Sequence, residues 1–209
     1  YVCSDIHGYL DRWLDLMKQV NFSESDQMYV LGDVGDRGPQ SGEAIKWAVE
    51  APSNIHFLMG NHEDMMLASL KNDPYIFTSN EGPDEWGPYY DSYNDPWSWN
   101  GGVKTMQQLE GITTGYWRKY VLIPWLENLP FYYDVTVNGE RWLMVHAGLA
   151  NGLRMSDDMN FGGIQEWIDI PDYGEVHAQL LIWVRNRWFY NTEELPYNVV
   201  FGHSPTTYG

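Results

Sequence analysis

Short apolar runs alternate with helical periodicity through the first 70 residues. The run 1–4 leads into Asp5-Ile6-His7-Gly8, after which Leu10, Trp13, Leu14, Met17 and Val20 recur at helical spacing. The run 28–31 leads into Gly32-Asp33, followed by Ala44, Ile45, Ala48 and Val49. The run 55–59 leads into Gly60-Asn61-His62-Glu63, followed by Met66, Leu67 and Leu70. Strands alternating with helices predict a parallel sheet with right-handed crossovers. In such sheets chemistry gathers at the carboxyl ends of the strands, where all three polar motifs fall.

Residues 72–102 break the pattern, with Asp, Pro, Gly, Asn, Tyr and Trp replacing the periodic apolar positions. A segment this long is expected to be a functional lid or an insertion. Its aromatic and acidic part, 86–99, would either shape a substrate groove or pack as a structural flap. Asn100-Gly101-Gly102 is expected to close it with a turn. Helical periodicity returns over 103–109 and again over 116–123, just before Pro124. The runs 131–137 and 142–145 predict two strands joined by a hairpin turn at Asn138-Gly139. The second run ends in His146-Ala147-Gly148, and a last run, 199–201, ends in Gly202-His203. No boundary divides the sequence, so 1–209 is expected to be a single catalytic domain carrying the 72–102 insertion. Tyr1 lies inside a strand-like run and Gly209 just follows a motif, so both ends are expected to be truncated.

Composition narrows the function. A hydrophobic share of 44% with 20% charged residues is ordinary for a soluble globular protein, whereas 11 Trp and 15 Tyr supply large packing or stacking surfaces. The net charge of -17 argues against binding nucleic acid or an anionic membrane surface. No stretch approaches the roughly 18 apolar residues of a membrane span. An acidic protein that handles phosphate must supply positive charge locally, and metal ions are the obvious source. With Cys3 as its one cysteine the chain can build no intramolecular disulfide, which fits a reducing, cytoplasmic setting.

Five strand-end motifs collect Asp5, His7, Asp33, Asn61, His146 and His203: three imidazoles, two carboxylates and one amide. Mixed nitrogen and oxygen donors suit Mn, Fe or Zn better than Ca or Mg. Asp5 and His7 stand two apart, so both can face one side as their strand ends. Asp33 follows Asp5 by 28 residues (33 − 5) and Asn61 follows Asp33 by 28 (61 − 33), about one strand–helix unit each. A central carboxylate such as Asp33 can bridge two cations roughly 3.5–4 Å apart. The glycines of 32–38 are spaced G-x-x-G-x-x-G, which is not the dinucleotide-binding fingerprint. No motif carries a Ser or Cys nucleophile. His56, inside a strand run, is expected to be structural, and His177, ahead of a helical stretch, a surface or capping residue rather than a ligand.

Taken in order, Asp5-Ile6-His7, the Gly-Asp-Val-Gly-Asp-Arg-Gly segment at 32–38, Gly60-Asn61-His62-Glu63, Val145-His146-Ala147-Gly148 and Gly202-His203 resemble the signature of the phosphoprotein phosphatases. These are the Ser/Thr protein phosphatase-like members of the calcineurin-like metallophosphoesterase superfamily, and the resemblance covers nearly the whole chain. It implies an α/β fold, a β-sandwich flanked by helices in four α/β/β/α layers, with a dinuclear centre at the strand ends. One metal would be held by Asp5, His7 and Asp33, the other by Asp33, Asn61, His146 and His203. The ions implied are two divalent transition metals, manganese foremost, with iron or zinc as alternatives. His62 aligns with the general acid and Asp36 with the carboxylate that orients it. Arg37 and Asn61 align with phosphate-binding residues, and Arg185, in the looser Ile182-Trp183-Val184-Arg185 motif, with a second phosphate-binding arginine. Glu63 is expected to support the site rather than react. The reaction implied is hydrolysis of a phosphate monoester by a metal-bridging hydroxide attacking phosphorus in line. A phosphorylated protein is the first expected substrate, as for a Ser/Thr protein phosphatase, with a small phosphoester as the other. The alternative is a nucleotide or dinucleoside polyphosphate hydrolase on the same site; Asp36 inclines against it, because some such relatives lack the second aspartate of the motif.

Overall fold

The structure, a computed structural model, describes residues 1–72, 96–149, 174–185 and 197–205. Each strand–motif–helix unit expected in the first 70 residues forms. Strand β1 (Val2–Cys3) leads to helix α1 (Leu10–Gln19), β2 (Met28–Val30) to α2 (Ser41–Val49), and β3 (Ile55–Phe57) to α3 (Asn61–Asn72). The three strands are parallel in the order β1-β2-β3, with Val2 opposite Tyr29 and Met28 opposite Ile55. A second sheet holds β4 (Tyr132–Val137), β5 (Glu140–Val145) and β6 (Asn198–Val200), with β4 and β5 antiparallel and β5 and β6 parallel. The β4–β5 turn is the one the Asn-Gly pair predicts: Asn138 has φ 53° and Gly139 φ 83°, the two left-handed residues of a tight hairpin.

The pleat sorts the side chains into layers. Met28, Val30, Ile55 and Phe57 face the helices, packing with Trp13, Ala44, Ile45, Ala48, Met66 and Leu70. The alternate positions Tyr29, Leu31 and Leu58 face the other sheet and meet Tyr133, Met144 and Val200. The far side of the second sheet presents Leu143, Val145 and Val199 to Leu181 of helix α7 (Gly174–Trp183). Apolar burial of this kind is worth about 25 cal/mol per Å² removed from water, so each face of each sheet needs its own cover. The result is the four-layer α/β/β/α sandwich. His56 belongs to the layer between the sheets, stacked on Tyr29 at 4.8 Å with Nε2 2.7 Å from Gln27 Oε1. It plays the structural part expected of it.

The middle of the chain differs in detail. Helix α4 (Val103–Ile112) is followed by α5 (Gly115–Trp117), a π-helical turn over Arg118–Leu122, and α6 (Ile123–Glu127). The helical path therefore continues past Pro124 instead of stopping before it. Pro124 sits in the first turn of α6, where a missing N–H is tolerated. Of the expected 72–102 insertion, residues 73–95 lie outside the described residues, as does the side chain of His177. The rest of the insertion is ordered: Trp97 is fully buried, and a π-helical turn over Ser98–Gly102 breaks at Gly101, φ 110°, before α4 begins. Among the described residues no helix is long and apolar enough to cross a membrane.

Candidate metal centre

The motif loops are stitched together at one edge of the sandwich. Asp5 N donates to Gly32 O, His7 N to Asp33 O and Gly8 N to Val34 O, at 2.7–3.2 Å. Gly202 N donates to His146 O at 2.8 Å and His203 N to Asp5 Oδ2 at 2.9 Å, bringing the second sheet to the first. These turns are sharp. Among the described residues, six of the eight non-glycine positions with positive φ are Asp5, His7, Asp33, Asp36, Arg37 and His203. Left-handed backbone costs such residues about 1–3 kcal/mol each and concentrates where surrounding structure imposes it, typically at functional sites. The loops also approach closely. A Cβ added at Gly60 would stand 2.4 Å from Asp33 Oδ1 and 2.6 Å from both Asp33 N and Glu63 Oε2. Gly60→Ala is therefore predicted to lower stability by about 1–3 kcal/mol in chemical denaturation; an unchanged midpoint would contradict this packing.

All six expected ligand residues converge. His7, Asp33 and His62 form one group whose donor atoms lie within 4.8 Å of one another, and Asp33, His146 and His203 form a second, so Asp33 is common to both. Asp5 stands at the rim of the first group, with Oδ1 3.9 Å from His7 Nε2. Asn61 joins the second, its Oδ1 3.0 Å from His146 Nε2 and 2.9 Å from His203 Nδ1.

The hydrogen bonds fix the proton positions. His146 Nδ1–H donates to Leu31 O at 2.6 Å, and burial lowers its pKa, so Nε2 is bare. That lone pair faces Asp33 Oδ1 at 3.4 Å and Asn61 Oδ1 at 3.0 Å. Three acceptors converge there. His62 N donates to Asp33 Oδ1 at 3.1 Å, and His203 Nδ1, 3.1 Å from His146 Nε2 and 2.9 Å from Asn61 Oδ1, can offer a proton to one of the other two but not both. Among the described residues His203 Nε2 is buried without a partner, and burial, His146 and Arg185 together push that imidazole's pKa down to about 4. His7 Nδ1–H donates to Gly35 O at 3.0 Å, leaving a bare Nε2 that faces Asp33 Oδ2 at 3.6 Å. Buried acceptors crowded without enough donors are costly unless a cation lies among them. The donor set therefore fits divalent transition metals of mixed nitrogen and oxygen preference.

Two buried carboxylates carry the electrostatics. Asp33, 2% exposed, has its pKa raised to about 7 by burial and by Asp5, against the opposing pull of His62 and Arg37. Glu63 is fully buried and likewise raised to about 7, by burial and then by the charge of Asp33. Its Oε2 accepts from Asp33 N at 2.7 Å and Gly60 N at 3.1 Å, and its Oε1 from Val34 N at 2.9 Å. Glu63 thus clasps the loops after β2 and β3 from the first turn of α3.

Beside the ligands, His62 Nδ1–H donates to Asp36 Oδ2 at 2.6 Å with both side chains sealed from solvent. Burial opposes charge on this imidazole, but the bond to Asp36 and the charges of Asp33, Asp36 and Glu63 prevail and raise its pKa. Arg37 donates to His62 Nε2 at 2.9 Å and to His7 Nε2 at 3.1 Å. Arg185 reaches the rim, donating to His203 O at 3.4 Å. The sequence reading missed Trp97 and Thr105, both of which donate to Asp36. Neither follows a motif; the only available signal was a buried-size aromatic and a hydroxyl flanking the Gly101-Gly102 turn. A cavity of about 670 Å³, lined by Tyr1, Gln27, Tyr29, Thr136 and Trp142 among others, lies at the amino ends of β1 and β2 and contains none of these residues. Volume alone does not mark this site.

Residues 1–209 match the family described as calcineurin-like phosphoesterase. The chain is 24% identical over 169 residues to a symmetrical bis(5'-nucleosyl)-tetraphosphatase from Chromobacterium violaceum, covering 78% of this chain and 50% of that protein. It is 30% identical over 150 residues to the enzyme of the same name from Paracidovorax citrulli, covering 71% of this chain and 44% of that protein. The chain thus spans about half the length of these curated relatives. Among solved structures, a metallophosphoesterase from Sphaerobacter thermophilus aligns with a TM-score of 0.41 at 21% identity, over 70% of this chain and 46% of that one.

Proposed function

Since the chain belongs to the calcineurin-like phosphoesterases, we propose that it is a two-metal hydrolase acting on a dinucleoside polyphosphate. The observation that carries the two-metal reading is Asp33, which among the described residues is the carboxylate shared by two convergent donor groups. Asp5, His7 and Asp33 would hold one cation, and Asp33, Asn61, His146 and His203 the other, within the single domain 1–209. When bound, the pair would supply Lewis acidity, neutralising charge on the phosphoryl oxygens and acidifying a water.

The chain's own residues do the rest. Arg37 and Arg185 present planar guanidinium forks that match phosphate oxygens, and Asn61 can add an amide contact. Water oxygen forms the new bond to phosphorus and gives up its proton to solvent as the bridging P–O bond breaks in line. His62 Nε2 gives its proton to the departing oxygen and recovers one from solvent, held in register by Asp36. Arg37 rests against His62 Nε2 in this structure, so a phosphate that draws the guanidinium away frees that nitrogen to carry the proton.

The choice of substrate is supported by the two curated relatives, both named for symmetrical cleavage of dinucleoside tetraphosphates. They favour the alternative over the phosphoprotein substrate that the motif resemblance put first. The His62–Asp36 pair favours the phosphoprotein reading, because a buried acid is needed most when the leaving group is a basic alkoxide. The test is a panel with Mn²⁺: a dinucleoside tetraphosphate against a phosphoserine peptide. Nucleoside diphosphate released as the main nucleotide product, with the peptide turned over far more slowly, is expected. Faster turnover of the peptide would reverse the choice. Arg37→Ala is predicted to lower kcat/KM by about 10–100-fold through a raised KM, as expected for losing a charge-assisted contact worth about 1.5–3 kcal/mol. Full activity in that variant would remove Arg37 from the phosphate site.

A further inference from the structure

Asp36 holds more partners than orientation of one imidazole requires. Its Oδ2 accepts from His62 Nδ1 at 2.6 Å and from Trp97 Nε1 at 2.9 Å, while its Oδ1 accepts from Thr105 Oγ1. All four side chains are buried, at 0% exposure for Asp36, His62, Trp97 and Thr105 alike. The two additional donors come from the stretch around the Gly101 break, one before the turn over Ser98–Gly102 and one in the first turn of α4. The indole is wedged there. A Cβ added at Gly102 would stand 2.4–2.7 Å from its ring atoms, so the backbone there packs directly against the indole. Asn100 Nδ2 ties the same turn to Pro96 O at 2.7 Å.

We propose that Trp97 and Thr105 are positioning residues that lock the Asp36 carboxylate, and through it the imidazole of His62, for proton delivery to the leaving group. A carboxylate with a single partner can rotate about its terminal torsion, a broad two-fold well. Donors on both oxygens remove that freedom and fix the plane in which Oδ2 meets Nδ1–H. The lock rests on the reading of His62 as the acid. Simple satisfaction of a buried charge would need the same donors but would affect stability alone.

Thr105→Val keeps the shape and removes the hydroxyl, whereas Thr105→Ser keeps the hydroxyl. Trp97→Phe keeps most of the ring and removes the N–H. With an alkyl phosphate, whose leaving group needs a proton, Thr105→Val and Trp97→Phe are expected to lower kcat about tenfold each. KM should be unchanged, and Thr105→Ser should recover most of the rate. That loss is a fraction of the about 10²–10⁴-fold a general acid contributes. In a His62→Asn background neither substitution should cost anything further. Losses of equal size with and without His62, or a wild-type rate in both Thr105→Val and Trp97→Phe, would overturn the lock. A variant that does not fold leaves the other to carry the same comparison. An inactive wild type would instead strike at the reaction, and the lock is then read by NMR. The Trp97 indole proton should lie downfield and move upfield in Asp36→Asn; no movement would overturn it.

Discussion

Asp33→Asn is expected to strip both cations from the protein at once and abolish hydrolysis. Asp33 belongs to both donor groups, with Oδ1 3.4 Å from His146 Nε2 and Oδ2 3.6 Å from His7 Nε2. Asparagine keeps the shape and one acceptor but loses the charge and the second donor oxygen. Outer-shell substitutions alone typically cost about 10–100-fold in metal affinity, so a shared ligand should cost more than about 100-fold. Misfolding is not the expected cause. Burial has already pushed the Asp33 carboxyl up to about 7, so removing that charge should leave the metal-free protein as stable as before, or more so. The signature is then a metal-free melting temperature that holds while the stabilisation added by Mn²⁺ disappears. The same shift gives a pH dependence. Below about pH 7 the carboxyl binds a proton that a cation must displace. Mn²⁺ affinity should therefore fall as pH drops through 7, by about tenfold per unit for one displaced proton, and each ion bound there should release acid. Retention of two metals in Asp33→Asn, or an affinity flat between pH 5.5 and 7.5, would remove Asp33 from the bridging position.

His62→Asn should act on the other half of the mechanism. Its ring lies fully buried, anchored through Nδ1 on Asp36, with Nε2 directed to Arg37. Loss of a general acid typically costs about 10²–10⁴ in rate. The loss should depend on the leaving group: largest for an alkyl phosphate, smaller for an aryl phosphate or a nucleoside diphosphate, which depart as weaker bases. Metal content should stay near wild type, because the ligands proposed for the two cations, Asp5, His7 and Asp33 on one side and Asp33, Asn61, His146 and His203 on the other, do not include His62. Equal losses for good and poor leaving groups would assign His62 to metal binding, as its place in the first donor group also allows.

Much of this site could be read from the sequence because its residues sit at the ends of predictable elements. The runs before Asp5, Asp33 and Asn61 alternate with helices, and parallel pairing then brings their carboxyl ends to one edge. Asn138-Gly139 likewise specifies its own hairpin by left-handed backbone. What escaped was long-range and aperiodic. Trp97 and Thr105 lie 61 and 69 residues from Asp36, and no local period connects them. Glu63 was expected to support the site, but its hold on the backbone N–H groups of Asp33 and Val34, about 30 residues away, depends on tertiary contact. Pro124 misplaced a helix end because its position within the first turn of α6 was invisible to periodicity. The substrate class is not legible from the motifs for another reason. The metal, acid and phosphate-contact roles proposed for the motifs would serve an ester and an anhydride of phosphoric acid alike.

The central claim, metal-dependent phosphoester hydrolysis at the Asp33-centred site, is tested most directly by phosphate release from an aryl phosphate. The full chain is assayed with added Mn²⁺ and after chelation, beside Asp33→Asn. The account predicts release that needs the metal, vanishes with chelator and is absent in the variant. Release that survives both chelation and Asp33→Asn, or no release with any divalent metal, would contradict it.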